Sequence, residues 1–251
     1  MDTYGLIGYP LKHSFSRKYF TEKFQRENIN AEYLNFEIDN VSLFASIIDC
    51  HPQLKGLNIT IPYKEKVIPF LHEIDDSAKE IGAINVIKIT RKGEQAELKG
   101  YNSDIIGFQN SIAPLINKET HKKALILGTG GASKAVKKGL ENLGLETIYV
   151  SRSPKQGQLQ YSDIDKSILL EYTVIVNASP VGTYPDINNA PDIPYHLLTE
   201  DNLLYDLVYN PKETLFLKRG KQQGSSVKNG AEMLELQALA AWNIWNNKNL
   251  K

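Results

Sequence analysis

The sequence predicts an α/β protein built as two units in tandem, each an open, mostly parallel sheet flanked by helices. Three observations carry that expectation. Short apolar strands alternate with helical stretches from Tyr4 to about Tyr101, and a second such series begins near Asp104. The second series opens on a strand, a glycine-rich turn and a helix start across residues 123–133.

In the first series, residues 4–8, 32–38 and 56–60 read as strands, and 15–28, 41–49 and 64–72 as helices. Residues 84–90 and 95–100 flank Arg91-Lys92-Gly93, a turn signal, and predict a hairpin. In the second series, 124–127, 147–150, 174–177 and 203–207 are apolar or β-branched runs of strand length. Helices at 134–143 and 214–223 separate several of them, and a cleft is expected between the two units. A last helix at 232–246 sets Met233, Leu236, Ala240, Ala241 and Ile244 on one face, with Gln237 in the middle of it. A buried amide without a partner costs about 1–3 kcal/mol, so Gln237 is expected to meet either a ligand or a neighbouring backbone group.

Composition removes several function classes. Lys and Arg number 29, as do Asp and Glu, so no net charge draws the chain to nucleic acid or an acidic membrane. The single Cys50 excludes an internal disulfide, and the five histidines have no zinc-ligand spacing, so no metal is expected. No apolar run approaches the roughly 20 residues of a membrane span, and the start of the chain does not read as a signal peptide. The expected location is the cytoplasm.

The glycine turn is a candidate cofactor site. Gly128, Thr129, Gly130, Gly131 and Ala132 follow a strand and open a helix, where backbone amides can hold a pyrophosphate. The sixth fingerprint position is Ser133 rather than Gly or Ala. About 20 residues on, where NAD-binding proteins usually carry an acid for the ribose, this chain reads Ser151-Arg152-Ser153. A guanidinium there can stack on adenine and pair with a 2′-phosphate, which favours NADP over NAD; a solvated loop arginine is the plain alternative.

Polar residues also gather at element ends in the first series. Ser14 and Ser16 either cap the helix that follows or offer hydroxyls to a carboxylate, capping being the commoner fate. Asn58-Ile59-Thr60-Ile61-Pro62-Tyr63-Lys64 ends a strand and is expected to begin a helix, whose positive end disfavours a charged ammonium on Lys64. Asp104 reads as the N-cap of a helix from Ile105, or with Lys64 as an acid–base pair for a secondary alcohol.

Taken together and in order, these segments resemble the shikimate dehydrogenase family over nearly the whole chain. Gly8, Pro10, His13, Ser14 and Ser16 match its first signature, and 58–64 its Asn-x-Thr-x-Pro-x-Lys block. Residues 82–85, 102–104, 176–182 and 206–209, with Gly230, Met233, Leu234 and Gln237, continue the match. The departures are Arg17 for a common Pro, Ser151 for a common Asn, and Thr183-Tyr184 where Met often stands.

The resemblance implies a substrate-binding domain of residues 1–103 and 231–251 and a Rossmann-like NADP domain of residues 104–230, with the last helix returning to the first. It implies reversible NADP-dependent reduction of 3-dehydroshikimate to shikimate by a monomer or homodimer. Ser14 and Ser16 would hold the substrate carboxylate, and Thr60, Asn85, Tyr209 and Gln237 would surround its ring with Asp104. Lys64 would move the proton with Asp104 orienting it, while Asp76, Leu207 and Gly230 would face the nicotinamide. The alternatives are a quinate/shikimate dehydrogenase with relaxed cofactor use, a non-catalytic sensor on the same fold, or an unrelated Rossmann-type reductase.

Overall fold

The computed structural model describes residues 1–11, 14–93 and 95–248, so His13 of the first signature lies outside the described residues. The chain divides into two compact units, Met1–Ser103 with Ala238–Lys251, and Asp104–Gln237.

In the first unit, β1 (Asp2–Gly8), β2 (Ala31–Glu37), β3 (Leu54–Ile59), β4 (Glu73–Ile74), β5 (Val86–Lys92) and β6 (Gln95–Tyr101) form one sheet, ordered β2-β1-β3-β5-β6-β4. β1 runs parallel to both its neighbours, β4 is parallel to β6, and the β5–β6 hairpin is antiparallel within itself and to β3. Helices α1 (Phe15–Arg26), α2 (Phe44–Cys50) and α3 (Asp76–Ile81) complete this part. Period-2 alternation sorts the strand residues into two cores. Leu6 packs with Phe20, Phe24 and Trp242, while its neighbour Ile7 packs with Phe44, Leu54 and Tyr63.

Two expected helices change form. Residues 41–49 become a 3-10 turn (Val41–Leu43) leading into α2. Residues 64–72 form no α-helix, only turns and a 3-10 turn at Ile68–Phe70. The reason lies in the backbone pairing. The Lys64 carbonyl accepts from the Ile84 N–H at 2.7 Å, a partner twenty residues away, so it is committed outside any local ladder. The dipole argument for Lys64 therefore has no helix to rest on.

The second unit holds α4 (Asp104–Ile112), β7 (Lys123–Leu127), α5 (Gly131–Asn142), β8 (Glu146–Val150), α6 (Lys166–Glu171), β9 (Val174–Asn177), β10 (Leu203–Asp206), α7 (Leu215–Gln222) and β11 (Ser226–Lys228). Its sheet is parallel throughout, ordered β11-β10-β9-β7-β8. Both faces are covered: Ala124 and Ile126 of β7 join one core cluster, Leu125 and Leu127 the other. Strand order reverses about β7, which makes the carboxyl ends of β7 and β9 the switch point where such sheets open a crevice.

Helix α8 (Ala231–Trp245) is divided at Gln237/Ala238 rather than at 231. Its early residues belong to the second unit, where Met233 packs with Phe108 and Tyr205, and Gln237 lies against Gly107 of α4. From Ala238 onward it buries Ala241, Trp242 and Trp245 among Tyr4, Phe20 and Phe24. Gly56 of β3 makes room there, since a Cβ would overlap the Trp245 indole, whose Nε1 donates to the Ile87 carbonyl at 3.1 Å.

Candidate functional site

The register of the first sheet brings its polar residues to one end. Asn58 sits opposite Leu6 on one side and Val86 on the other, and Val86 opposite Tyr101. Asn85 and Ser103 therefore flank the same edge, tied by an Asn85 Nδ2–Ser103 Oγ bond of 3.0 Å and a Ser103 N–Asn85 Oδ1 bond of 2.6 Å. The network runs on from Asn58, whose Oδ1 accepts from the Tyr33 hydroxyl at 2.7 Å, and Tyr33 is also hydrogen-bonded to Ser16. Burial pushes the Tyr33 phenol well above its ordinary value, so it remains protonated. Thr60 donates its N–H to Ile7 and accepts from Tyr63 N–H, closing the turn that delivers Lys64. Gly8 permits that turn: a Cβ there would strike the Thr60 methyl.

Of the two serines, Ser14 caps α1, its Oγ accepting from Arg17 N–H at 3.1 Å. The cap uses an oxygen lone pair and leaves the hydroxyl hydrogen to donate elsewhere, so capping and carboxylate binding are compatible. Ser16 is held to Tyr33 and must exchange that bond to reach a ligand.

In the second unit, a cavity of about 1050 Å³ opens at the carboxyl ends of β7, β8 and β9. Gly128, Thr129 and Gly130 line one side, Ser151, Arg152 and Ser153 another. Gly128 takes φ +107°, a backbone state closed to most side chains, and a Cβ there would press on Ala178 and Ser179. Gly130 caps α5 with open space before it, so the helix N-terminus faces the cavity without a side chain in the way. Ser133 is fully buried and tolerated because its Oγ donates to the Gly130 carbonyl at 2.6 Å. Gly131 and Ala132 begin α5 behind this surface and are not part of the lining.

The third side of the cavity is the loop after β9, and a buried network shapes it. Asn177 donates to the Val181 carbonyl and to Asp206, while its Oδ1 accepts from the N–H and hydroxyl of Ser179. Asp206 in turn accepts from Val208 N–H at 3.0 Å and the Thr214 hydroxyl at 2.6 Å. Burial pushes the Asp206 carboxyl up to about 6, partly offset by these three donors, Thr214 foremost. In the sequence Asp206 is legible only as part of a motif; the network built on it is not.

Leu207 and Gly230 come together: a Cβ on Gly230 would overlap the Leu207 carbonyl. Gly230→Ala is expected to cost about 1–3 kcal/mol, as overpacking against backbone usually does, read as a lower urea midpoint at unchanged slope. Tyr209 is 41% exposed just beyond β10. Gln237 is buried and donates its amide to the Leu234 carbonyl at 3.0 Å, so the backbone partner is present. Asp104 lies inside the first turn of α4 rather than capping it. Asp76 begins α3 in the first unit, where it pairs with Lys79 at 3.1 Å, and it is not part of the cavity lining. Among the described residues no group of acidic, His or Cys side chains is disposed to hold a metal, and no helix is long and apolar enough to cross a membrane.

Known proteins align with this architecture. The shikimate dehydrogenase substrate binding domain family matches residues 6–87. A shikimate dehydrogenase (NADP(+)) of Carboxydothermus hydrogenoformans is 40% identical, over 96% of this chain and 90% of that protein. The crystal structure of shikimate dehydrogenase from Aquifex aeolicus superposes with a TM-score of 0.84 at 34% identity, covering 98% of this chain and 93% of its own. Shikimate 5-dehydrogenase from Thermus thermophilus, in complex with NADP(H) and shikimate, gives 0.85 at 28% identity, covering 98% and 94%. With identities of this size over nearly its whole length, the chain belongs to the shikimate dehydrogenase family.

Proposed function

We propose that the protein is an NADP-dependent shikimate dehydrogenase, interconverting 3-dehydroshikimate and shikimate. The observation that carries this reading is the cavity of the second unit. In it the N-terminus of α5, capped by Gly130 with no side-chain hydrogen bond, and the Ser151-Arg152-Ser153 turn present amides, hydroxyls and one guanidinium, the donor set that a dinucleotide with a 2′-phosphate needs. No acid follows β8 to receive a bare ribose.

Bound NADP supplies the hydride exchange. The chain's own residues supply the rest. Ser14 and Ser16 donate to the substrate carboxylate; Thr60, Asn85, Tyr209 and Gln237 fix the ring hydroxyls. The Lys64 ammonium gives its proton to the carbonyl oxygen as hydride reaches the carbonyl carbon, and takes it back in the oxidation of the alcohol. Asp104 orients that ammonium, and Asp76, Leu207 and Gly230 face the nicotinamide end. Gly131 and Ala132 set the helix start that holds the pyrophosphate. A cytoplasmic location belongs to the same reading and suits a free, exposed Cys50, as does a monomer or homodimer.

The test is nicotinamide reduction with shikimate or quinate and with NADP or NAD. Turnover concentrated on shikimate with NADP is expected. Comparable turnover of quinate with NAD would move the protein to the dual-specificity branch, and none from folded protein would sink the enzymatic reading. Arg152→Ala is expected to raise KM for NADP about tenfold or more through the lost charge-assisted bond to the 2′-phosphate, and to raise KM for NAD by less, since only the contact with the base is lost there.

A further inference from the structure

The cavity extends past the residues assigned above, to a wall made by Gln160–Ser162 on one side and Ala190–Asp192 on the other. Both parts are rigidly mounted. Leu159 is clipped to β8 by Ser151 N–H to its carbonyl at 2.8 Å and its own N–H to Tyr149 at 2.9 Å. The Asp163 carboxylate accepts from Gln160 N–H at 2.9 Å, and Asp163 N–H donates to the Gln160 carbonyl at 3.1 Å, closing the turn Tyr161–Asp163. Opposite, Asp192 is exposed but stands between buried Pro191 and Ile193, with the Tyr195 hydroxyl donating to the Pro191 carbonyl at 2.7 Å. Tyr161 is half-buried against the core, and it lies close enough to Arg152 and to Asp192 to feel both charges. The cavity thus ends in an aromatic ring, a guanidinium and a carboxylate acceptor.

We propose that Tyr161 and Asp192 form a purine-reading subsite in this cavity. The base lies between the Tyr161 ring and the Arg152 guanidinium, and the Asp192 carboxylate accepts from its exocyclic amine. The proposal rests on the cofactor reading above. With the pyrophosphate at Gly130 and the 2′-phosphate at Ser151–Ser153, this wall is the part of the cavity left for the group on the ribose. A flat heteroaromatic with an amino donor satisfies all three side chains. A second phosphate there would face two carboxylates, Asp186 and Asp192, with Arg152 as the sole cation of the lining among the described residues.

The experiment is calorimetric binding, with no turnover involved, of NADP and of its hypoxanthine analogue deamino-NADP, in which a carbonyl oxygen replaces the amine. Wild type is expected to bind deamino-NADP about tenfold or more weakly, because the carboxylate placed for the exocyclic amine then meets a carbonyl oxygen, and the donor that remains, N1–H, lies one ring position away. Asp192→Asn, whose amide can turn to donate, brings the two affinities within about twofold or inverts them. Tyr161→Leu weakens both about fivefold or more and Tyr161→Phe neither, as stacking requires. Equal affinities of wild type for the two dinucleotides, or an Asp192→Asn variant that tightens both alike through lost repulsion, would overturn the proposal. Failure of wild type to bind NADP at all would strike the cofactor reading instead.

Discussion

Lys64→Ala is expected to fold like the wild type and to lose about 10²–10⁴-fold in kcat, the range carried by a positioned proton-transfer group. Its fold is secured by main chain that the substitution leaves alone. The Lys64 carbonyl is bonded to Ile84 N–H, and the preceding Tyr63 is buried with its hydroxyl on the Ile38 carbonyl at 2.6 Å. KM for shikimate should move by less than about threefold, since the lost interaction strengthens mainly in the transition state. Lys64→Arg should restore little, because a guanidinium keeps its proton at any working pH. Steady-state kinetics at saturating NADP decide it: wild-type kcat in Lys64→Ala would end the proton-transfer role.

The second large effect concerns stability. Between about pH 4 and 6, the unfolded chain has released the Asp206 proton that the native carboxyl, held at about 6, retains. Stability therefore falls as pH rises through this window and levels off above it. A little over two pH units at about 1.4 kcal/mol each amounts to roughly 3 kcal/mol. Asp206→Asn, which cannot ionise, removes that slope while its amide still accepts from Val208 or Asn177. Urea midpoints of both proteins from pH 4.5 to 7.5 should favour the wild type at the acid end and shift toward the variant near neutrality. The difference curve isolates Asp206, because lowered carboxyls such as Glu27 and Glu232 tilt the raw curve the other way. A flat difference would show that the three donors fully offset burial.

Sequence patterns make visible whatever short-range physics controls. The strands of the second sheet stand out as apolar runs because both faces are buried, and the glycine turn announces itself because Gly128 needs a positive φ. Residues 64–72 carry a helical pattern and form no α-helix, because a carbonyl committed to Ile84 is a tertiary fact with no local signature. The wall of Tyr161 and Asp192 is invisible in the sequence for a related reason. It stands on irregular segments, where no periodicity exists to read and position comes from distant clips to β8 and Tyr195. Ser14 reads with both its fates open, and its cap bond leaves both in place.

The aromatic knot at the end of α8 gives the molecule a built-in optical label. The chain has two tryptophans, Trp242 and Trp245, and both sit among Tyr4, Phe20 and Phe24 of the first unit. The second unit has none. Tryptophan emission on denaturation will therefore follow the melting of one half alone, while far-ultraviolet dichroism follows both. Any gap between the two transitions reads directly as a folding intermediate in which one half stands without the other.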